Sequence, residues 1–522
     1  MLSEPYAPAI LSHWRETTVR RFLIAALVAP VLVLPVASSA SAACSHVPSD
    51  FNGDGYGDLA VGSPQRLEPV DDIPWEGALH VAYGSATGLA NGATKSLTLN
   101  GRTSGLPDQG FRSSARLGES LASGDFDGDC YADLAVSAAS VSDTLILYGS
   151  QLGLTTTRSA AFDRTAIQPD GAYGSGLSYD LTSGDFNGDG FSDLAAGAPW
   201  AEDSNGAFGV LYGSSTGITS TGAQWITQDS PNVPGSAERD DLLGWALSAG
   251  DFNGDGFSDL AAGAPGETIG SSRNAGGVTV FPGTAGGLAT AGSTWWDQNS
   301  PGVPGAVEAL DRFGYVLAAG DTNGDGRAEL VVAAPEEAIG EETAAGMVNV
   351  FHGAASGLLP GPSFDQGQAE IPGTAESGDY FGSALALVDL NRDGKQDLAV
   401  GVRGEWVGSA QGTGAVNVLH STTSGPTATG ALYIDQNSAG VPGANENQDA
   451  FGWSLSRLPN AYGGDALAIG APDENVTFPW EGAVTVLPSA AEGAARPSGY
   501  FFSGANFPDG AAAESNFGTG LP

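Results

Sequence analysis

Residues 251–265 read DFNGDGFSDLAAGAP, and the same fifteen residues stand at 185–199. The stretch is therefore a repeat unit, and looser copies begin at Asp50, Asp125, Asp321 and Asp389. Its first nine positions carry oxygen-bearing side chains at 1, 3, 5 and 9 and glycine at 4 and 6. With a backbone carbonyl at position 7, five hard oxygens can converge on one cation, and Ca²⁺ suits them better than Mg²⁺ or a soft metal. The last six residues form a short apolar run stopped by Gly and Pro, so the loop feeds a buried strand.

Six copies are well formed, which sets an expectation of up to six Ca²⁺. The ligands expected from the first two are Asp50, Asn52, Asp54, Tyr56 and Asp58, then Asp125, Asp127, Asp129, Tyr131 and Asp133. The third and fourth supply Asp185, Asn187, Asp189, Phe191 and Asp193, then Asp251, Asn253, Asp255, Phe257 and Asp259. The fifth and sixth supply Asp321, Asn323, Asp325, Arg327 and Glu329, then Asp389, Asn391, Asp393, Lys395 and Asp397. In each set the seventh position offers its carbonyl. An EF-hand would place a bidentate Glu at position 12 and then a helix. Here position 12 is Val61, Val136, Ala196, Ala262, Val332 or Val400, so the strand has already begun and the loop joins two strands. A metal-free Asp/Gly hairpin turn is the alternative, but it has no use for four oxygen side chains at fixed offsets.

The loops are spaced by 75, 60, 66, 70 and 68 residues. A seventh copy keeps only its strand half, ALAIGAP at 466–472, behind RLPNAYGGD, which lacks the acidic ladder. Each loop is followed by a second strand-like block, such as GGVTVFPG or GMVNVFHG, and preceded by a third, such as LLGWALSAGD or RFGYVLAAGD. That third block is missing before Asp50 and reappears as NFGTGLP at 516–522. A chain that starts within a unit and ends with the missing part suits a closed ring whose last strand completes its first sheet.

The FG block, the D-x-[DN]-x-D-G-x-x-D loop and the GAP ending resemble FG-GAP repeats, the units of the integrin α-subunit β-propeller and of many secreted bacterial proteins. The resemblance covers nearly all of 43–522. It implies an all-β, seven-bladed β-propeller of four-stranded blades, with each loop joining the first two strands of a blade. The chain departs from the pattern at Cys130 and Arg392, where Gly is usual, at Glu329, where Asp is usual, and in the lost seventh loop.

The 522 residues are rich in turn formers, with 78 Gly and 30 Pro, so long helices are not expected. Arg20 and Arg21 precede FLIAALVAPVLVLPVA, and Ala40 and Ala42 offer an A-x-A cleavage site, so residues 1–42 read as a secretory signal peptide. The expected destination is outside the cell. The apolar core of that segment is too short for a likely membrane span, and no later stretch qualifies. Cys44 and Cys130 are the two cysteines, an even pair in an exported chain, and are expected to form one disulfide. Removing 1–42 takes away three Arg and two Glu and leaves 16 basic and 58 acidic residues, a formal charge of −42. Even six bound Ca²⁺ would leave about −30, which makes nucleic acid and anionic membranes poor partners.

Catalytic signals are weak. His46, His80, His352 and His420 remain after residue 42, and the last three fall in the same strand-type block, as repeat positions would. The one G-x-S-x-G string, Gly213–Gly217 around Ser215, has counterparts starting at 84, 283 and 353 with no Ser at the central place, so it reads as a turn. Recognition remains. The face away from the loops collects Trp75, Trp200, Trp406 and Trp480, and Trp75, Trp406 and Trp480 with Glu76, Glu405 and Glu481 suggest an aromatic and acidic ledge for a sugar or a protein. Packing between blades is the competing use of these tryptophans. The expectation is a monomeric, secreted, calcium-binding recognition or adhesion module for an extracellular protein or glycan. The alternative is an exported phospholipase- or esterase-like hydrolase.

Overall fold

The computed structural model describes residues 47–64, 77–89, 96–100, 103–107, 116–138, 143–168, 177–460, 463–491, 498–507 and 515–522. They belong to one compact unit, Ser45–Pro522. The expected signal peptide, Cys44, His46, Trp75 and Glu76 lie outside the described residues.

Among the described residues strands and turns dominate, arranged as seven antiparallel blade sheets in chain order, with a small two-stranded ribbon of Ser421–Thr422 and Gly425–Pro426 beside the sixth. The fourth blade shows the plan. Leu247–Gly250, Asp259–Ala264, Gly277–Phe281 and Thr294–Trp296 pair each with the next, and the acidic loop joins the first two. The GAP strands are apolar along their whole length because both faces are covered. All six residues of Asp259–Ala264 are buried, and so are those of Asp193–Ala198, Asp397–Val402 and Ala466–Ala471. The core therefore lies between blades. One cluster joins Leu79 and Leu99 of the first blade to Leu121, Leu134 and Leu145 of the second. Another joins Val484, Val486 and Phe502 of the seventh to Leu59 and Val61 of the first.

The FG and GAP glycines meet at these boundaries. A Cβ on Gly263 would stand 2.1 Å from the carbonyl oxygen of Gly314 in the next blade, so the repeat keeps glycine where two backbones touch.

The first strands of successive blades surround a central channel of about 410 Å³. Six of its walls are triplets such as Tyr179–Leu181, Trp245–Leu247 and Tyr315–Leu317, and the seventh is Thr519–Pro522. Among the described residues the first sheet has three long strands, Leu59–Ser63, Ala78–Ala82 and Ser96–Asn100. Along the free edge of Leu59–Ser63, the Gly62 N–H donates to Gly520 O at 2.9 Å and the Gly518 N–H to Gly62 O at 3.1 Å.

Candidate metal centres and the opposite face

Five of the six acidic loops are nailed into their blades by a large apolar residue at position 2, where the fifth has the buried Thr322. Phe51, Phe126, Phe186, Phe252 and Leu390 there are at most 1% exposed. Burial of such a side chain contributes about 1.5–3 kcal/mol. Above it, the first carboxylate gathers the loop's amides. Asp251 Oδ1 accepts from the N–H groups of Gly254 and Asp255 at 2.7 and 3.2 Å, and Oδ2 accepts from Gly256 at 2.9 Å. Asn253 and Asp255 accept from the amides two residues on, at 2.8 and 3.0 Å. Asp259 accepts from Phe252 at 3.1 Å and from Gly283, past the third strand, at 2.9 Å. These donors fix the oxygens at the ladder's offsets.

The position-9 carboxylates are buried, and those of the first four loops carry raised pKa values. Burial comes first among the causes, and repulsion from the other loop aspartates adds to it. Asp58 and Asp133 are pushed up to about 8, Asp193 to about 7 and Asp259 to about 6. Such crowded hard oxygens fit a divalent cation, which reverses the repulsion by its own charge. In the second loop, oxygens of Asp125, Asp127 and Asp133 come within 4.8 Å of one another. The other five loops carry Asn at position 3, so their third oxygen belongs to an amide.

The departures from the repeat have local explanations. Cys130 adopts the left-handed backbone of the glycine it replaces, with φ +76°, and its N–H still reaches Asp125 at 3.1 Å. It is disulfide-bonded. The longer Glu329 accepts from the Thr322 N–H and Oγ1 at 2.8 and 2.7 Å and from Asn323 Nδ2 at 2.6 Å. Three Arg or Lys side chains approach loop acids: Arg158 binds Asp127 at 2.8 Å, Lys395 lies 3.4 Å from Asp393, and Arg327 lies 3.8 Å from Asp325.

Successive loops touch, which the ligand pattern alone does not show. The N–H of position 8 donates to the position-1 carbonyl of the preceding loop, from Ser192 to Asp125 at 2.9 Å and from Ser258 to Asp185 at 2.8 Å. At the ring's start, the Gly57 N–H reaches Pro459 O at 3.1 Å. Position 7 supplies more than a carbonyl. The side chains of Tyr131, Phe191, Phe257 and Arg327 each cover the position-4 glycine of the loop before.

Antiparallel pairing puts the connections after the GAP strands, and those entering the FG blocks, at the other end of the sheets. There a cavity of about 810 Å³ opens, with Arg116, Tyr380, Arg403, Trp453 and Trp480 in its wall. The Arg403 guanidinium lies 4.7 Å from the Tyr380 ring centre and 4.9 Å from that of Trp453. Trp480 is half exposed. Aromatic rings continue around the channel mouth, Tyr179 to Trp245 at 4.6 Å and Trp245 to Tyr315 at 5.1 Å.

The FG-GAP repeat family matches residues 47–81, 178–211, 243–281, 313–351 and 381–419, five of the seven blades. The chain carries FG-GAP repeats on a propeller similar to that of integrin α chains. Among relatives of the FG-GAP propeller, integrin alpha pat-2 of Caenorhabditis briggsae is 33% identical over 245 residues, covering 43% of this chain and 18% of that protein. Integrin alpha-V of Gallus gallus is 30% identical over 267 residues, 49% of this chain and 22% of that one. Phosphatidylinositol-glycan-specific phospholipase D of Rattus norvegicus is 37% identical over 170 residues, 29% of this chain and 19% of that one. The FG-GAP propeller thus spans about a fifth of the length of these relatives.

The ledge expected on the face away from the loops, the upper face, needs correction. Glu405 and Glu481 are 7% and 0% exposed and point into the protein. Glu481 accepts from the N–H groups of Thr477 and Phe478, and Glu405 from Gln366. Trp406 and Trp480 are half exposed, but only Trp480 lines the cavity, alongside Trp453, which the ledge had omitted. The histidines scatter. His80 is buried mid-strand against the rings of Phe507 and Phe517, while His420 Nδ1 lies 3.2 Å from Asp397 Oδ2. Ser215 is exposed on a turn whose Gly217 fits under the neighbouring blade's Tyr148, where a Cβ would stand 2.0 Å from the hydroxyl oxygen. Among the described residues no helix is long and apolar enough to cross a membrane.

Proposed function

We propose that this FG-GAP propeller is an exported, monomeric module that holds calcium in its six acidic loops and binds an extracellular protein or glycan through its upper face. The observation that carries this reading is the cavity where Arg403 stacks between Tyr380 and Trp453 and Trp480 stands half exposed beside it. Flat rings next to guanidinium groups suit a sugar ring, a carboxylate or an aromatic side chain of a partner. The similarity to integrin α chains supports a protein ligand. The likeness to a phospholipase D supports a second reading, lipid or ester hydrolysis.

Glycan and extracellular-protein arrays, probed in calcium and in chelator beside esterase and phospholipase assays, test both. Trp480→Ala and Arg403→Ala should each lower capture at least tenfold with little change in melting temperature. Capture indifferent to both substitutions would remove the cavity from the reading. Turnover by the purified chain would favour the hydrolase.

A further inference from the structure

Four blade boundaries contain a second set of buried oxygens, away from the acidic loops. Gln228, Gln298, Gln366 and Gln436 follow the outer strands of blades three to six and are at most 4% exposed. Each Nε2 donates to a glutamate just past the GAP strand of the next blade: Gln228 to Glu267 and Gln298 to Glu337 at 2.7 Å, Gln366 to Glu405 at 2.8 Å, and Gln436 to Glu474 at 2.5 Å. Asp241, Asp311, Asp379 and Asp449 accompany them, at most 2% exposed. The amide's other end, Oε1, is buried without a hydrogen-bond partner in all four. No ion pair reaches any of these eight carboxylates among the described residues.

The boundary between blades six and seven goes furthest. There Gln436 Oε1, Asn445 Oδ1 and Asp449 Oδ1 are all buried and unpartnered, and all three are acceptors. Glu474 is the hydrogen-bond partner of Gln436, and Asn445 Nδ2 donates at 3.1 Å to Asp435, the residue before Gln436. Asn445 is peculiar to this boundary, for the matching positions are Ala237, Val307 and Ala375. Buried acceptors with no donor are costly, and buried carboxylates with no counter-charge more so.

We propose that the boundary between blades six and seven binds a hard divalent cation through Gln436, Asn445, Asp449 and Glu474, and that the three preceding boundaries hold weaker versions of the same site. Hard amide and carboxylate oxygens suit Ca²⁺, whose remaining positions water would fill. The site would pin the seventh blade, whose own hairpin has lost its acidic ladder. It does not depend on the loops binding calcium.

Native mass spectrometry of the full chain with Ca²⁺ counts the ions. The double substitution Asp449→Asn and Glu474→Gln should lower the count by one relative to the wild-type chain. Asp251→Asn reports separately on a loop, so the two readings fail independently. An unchanged count in the double variant overturns the proposal and leaves a shared proton or trapped water in that space. Should the double variant not fold, crystals of the wild-type chain soaked in Tb³⁺ decide. An anomalous peak beside Asp449 and Glu474 supports the site, and its absence overturns it.

Discussion

Arg392 reaches out of the sixth loop to Ser489 in the seventh blade, its Nε 2.9 Å from Oγ and its Nη2 3.0 Å from the carbonyl oxygen. The other five loops keep glycine here, because the next loop's position-7 side chain lies over it. The seventh blade has no such loop, and the arginine fills the space at φ +60°. Arg392→Ala should therefore destabilise the protein by about 1–3 kcal/mol, through lost hydrogen bonds with the left-handed backbone retained. Arg392→Gly, which relieves that backbone, should cost about 1 kcal/mol less. Urea unfolding of both variants measures the difference.

Gly188 gives the complementary test. A Cβ there would stand 2.5 Å from Cε1 of Phe257, on a backbone with φ +72°. Gly188→Ala should lower stability by about 1–3 kcal/mol, and Phe257→Ala in the same chain should recover part of that loss. A double-mutant cycle by chemical denaturation reads the coupling.

Calcium should stabilise the ring by mass action. At a free concentration a hundred times its dissociation constant, each ion adds about 2.7 kcal/mol. Chelation should lower the melting temperature, and Asp251→Asn should remove one bound ion and part of that response. Calorimetry in calcium and in chelator checks both.

In chelator the protein should become more stable as the pH falls from 8 towards 5. Burial, against the hydrogen bonds from Leu247 and Ser120, holds Asp180 up at about 6 compared with an ordinary 3.8. Glu267 and Glu337 are likewise held at about 7 by burial. A carboxyl whose folded pKa lies above its unfolded one binds its proton more tightly in the native state. Its stabilising contribution is complete below the unfolded value and is lost as the pH rises through the folded one. Melting curves across this range should rise on acidification, and Asp180→Asn should flatten part of the slope.

The blades were legible because the loop, the GAP strand and the FG block recur in register. Their local chemistry sets turn, strand and close contact alike. The Gln–Glu pairs were not, because their partners lie 38 or 39 residues apart on different blades and nothing in either stretch points to the other. Glu405 and Glu481 misled for a simpler reason. Each adjoins an exposed tryptophan in sequence, but consecutive side chains in extended or turning backbone point different ways. The position-7 side chains were read only for their carbonyls, since covering a neighbour's glycine becomes visible only when two loops are placed side by side.

The bridge between Gly62 and Gly520 joins residues from opposite ends of the sequence. Closing so long a segment carries the greatest entropic cost of any strand pairing among the described residues, and little rewards it until the intervening sheets stand in place. Refolding should therefore linger in an open arc, with the Leu59–Ser63 strand offering unpaired amides to any passing chain. Aggregation during recovery from denaturant should fall steeply on dilution, because capture by a stranger competes with that last intramolecular step.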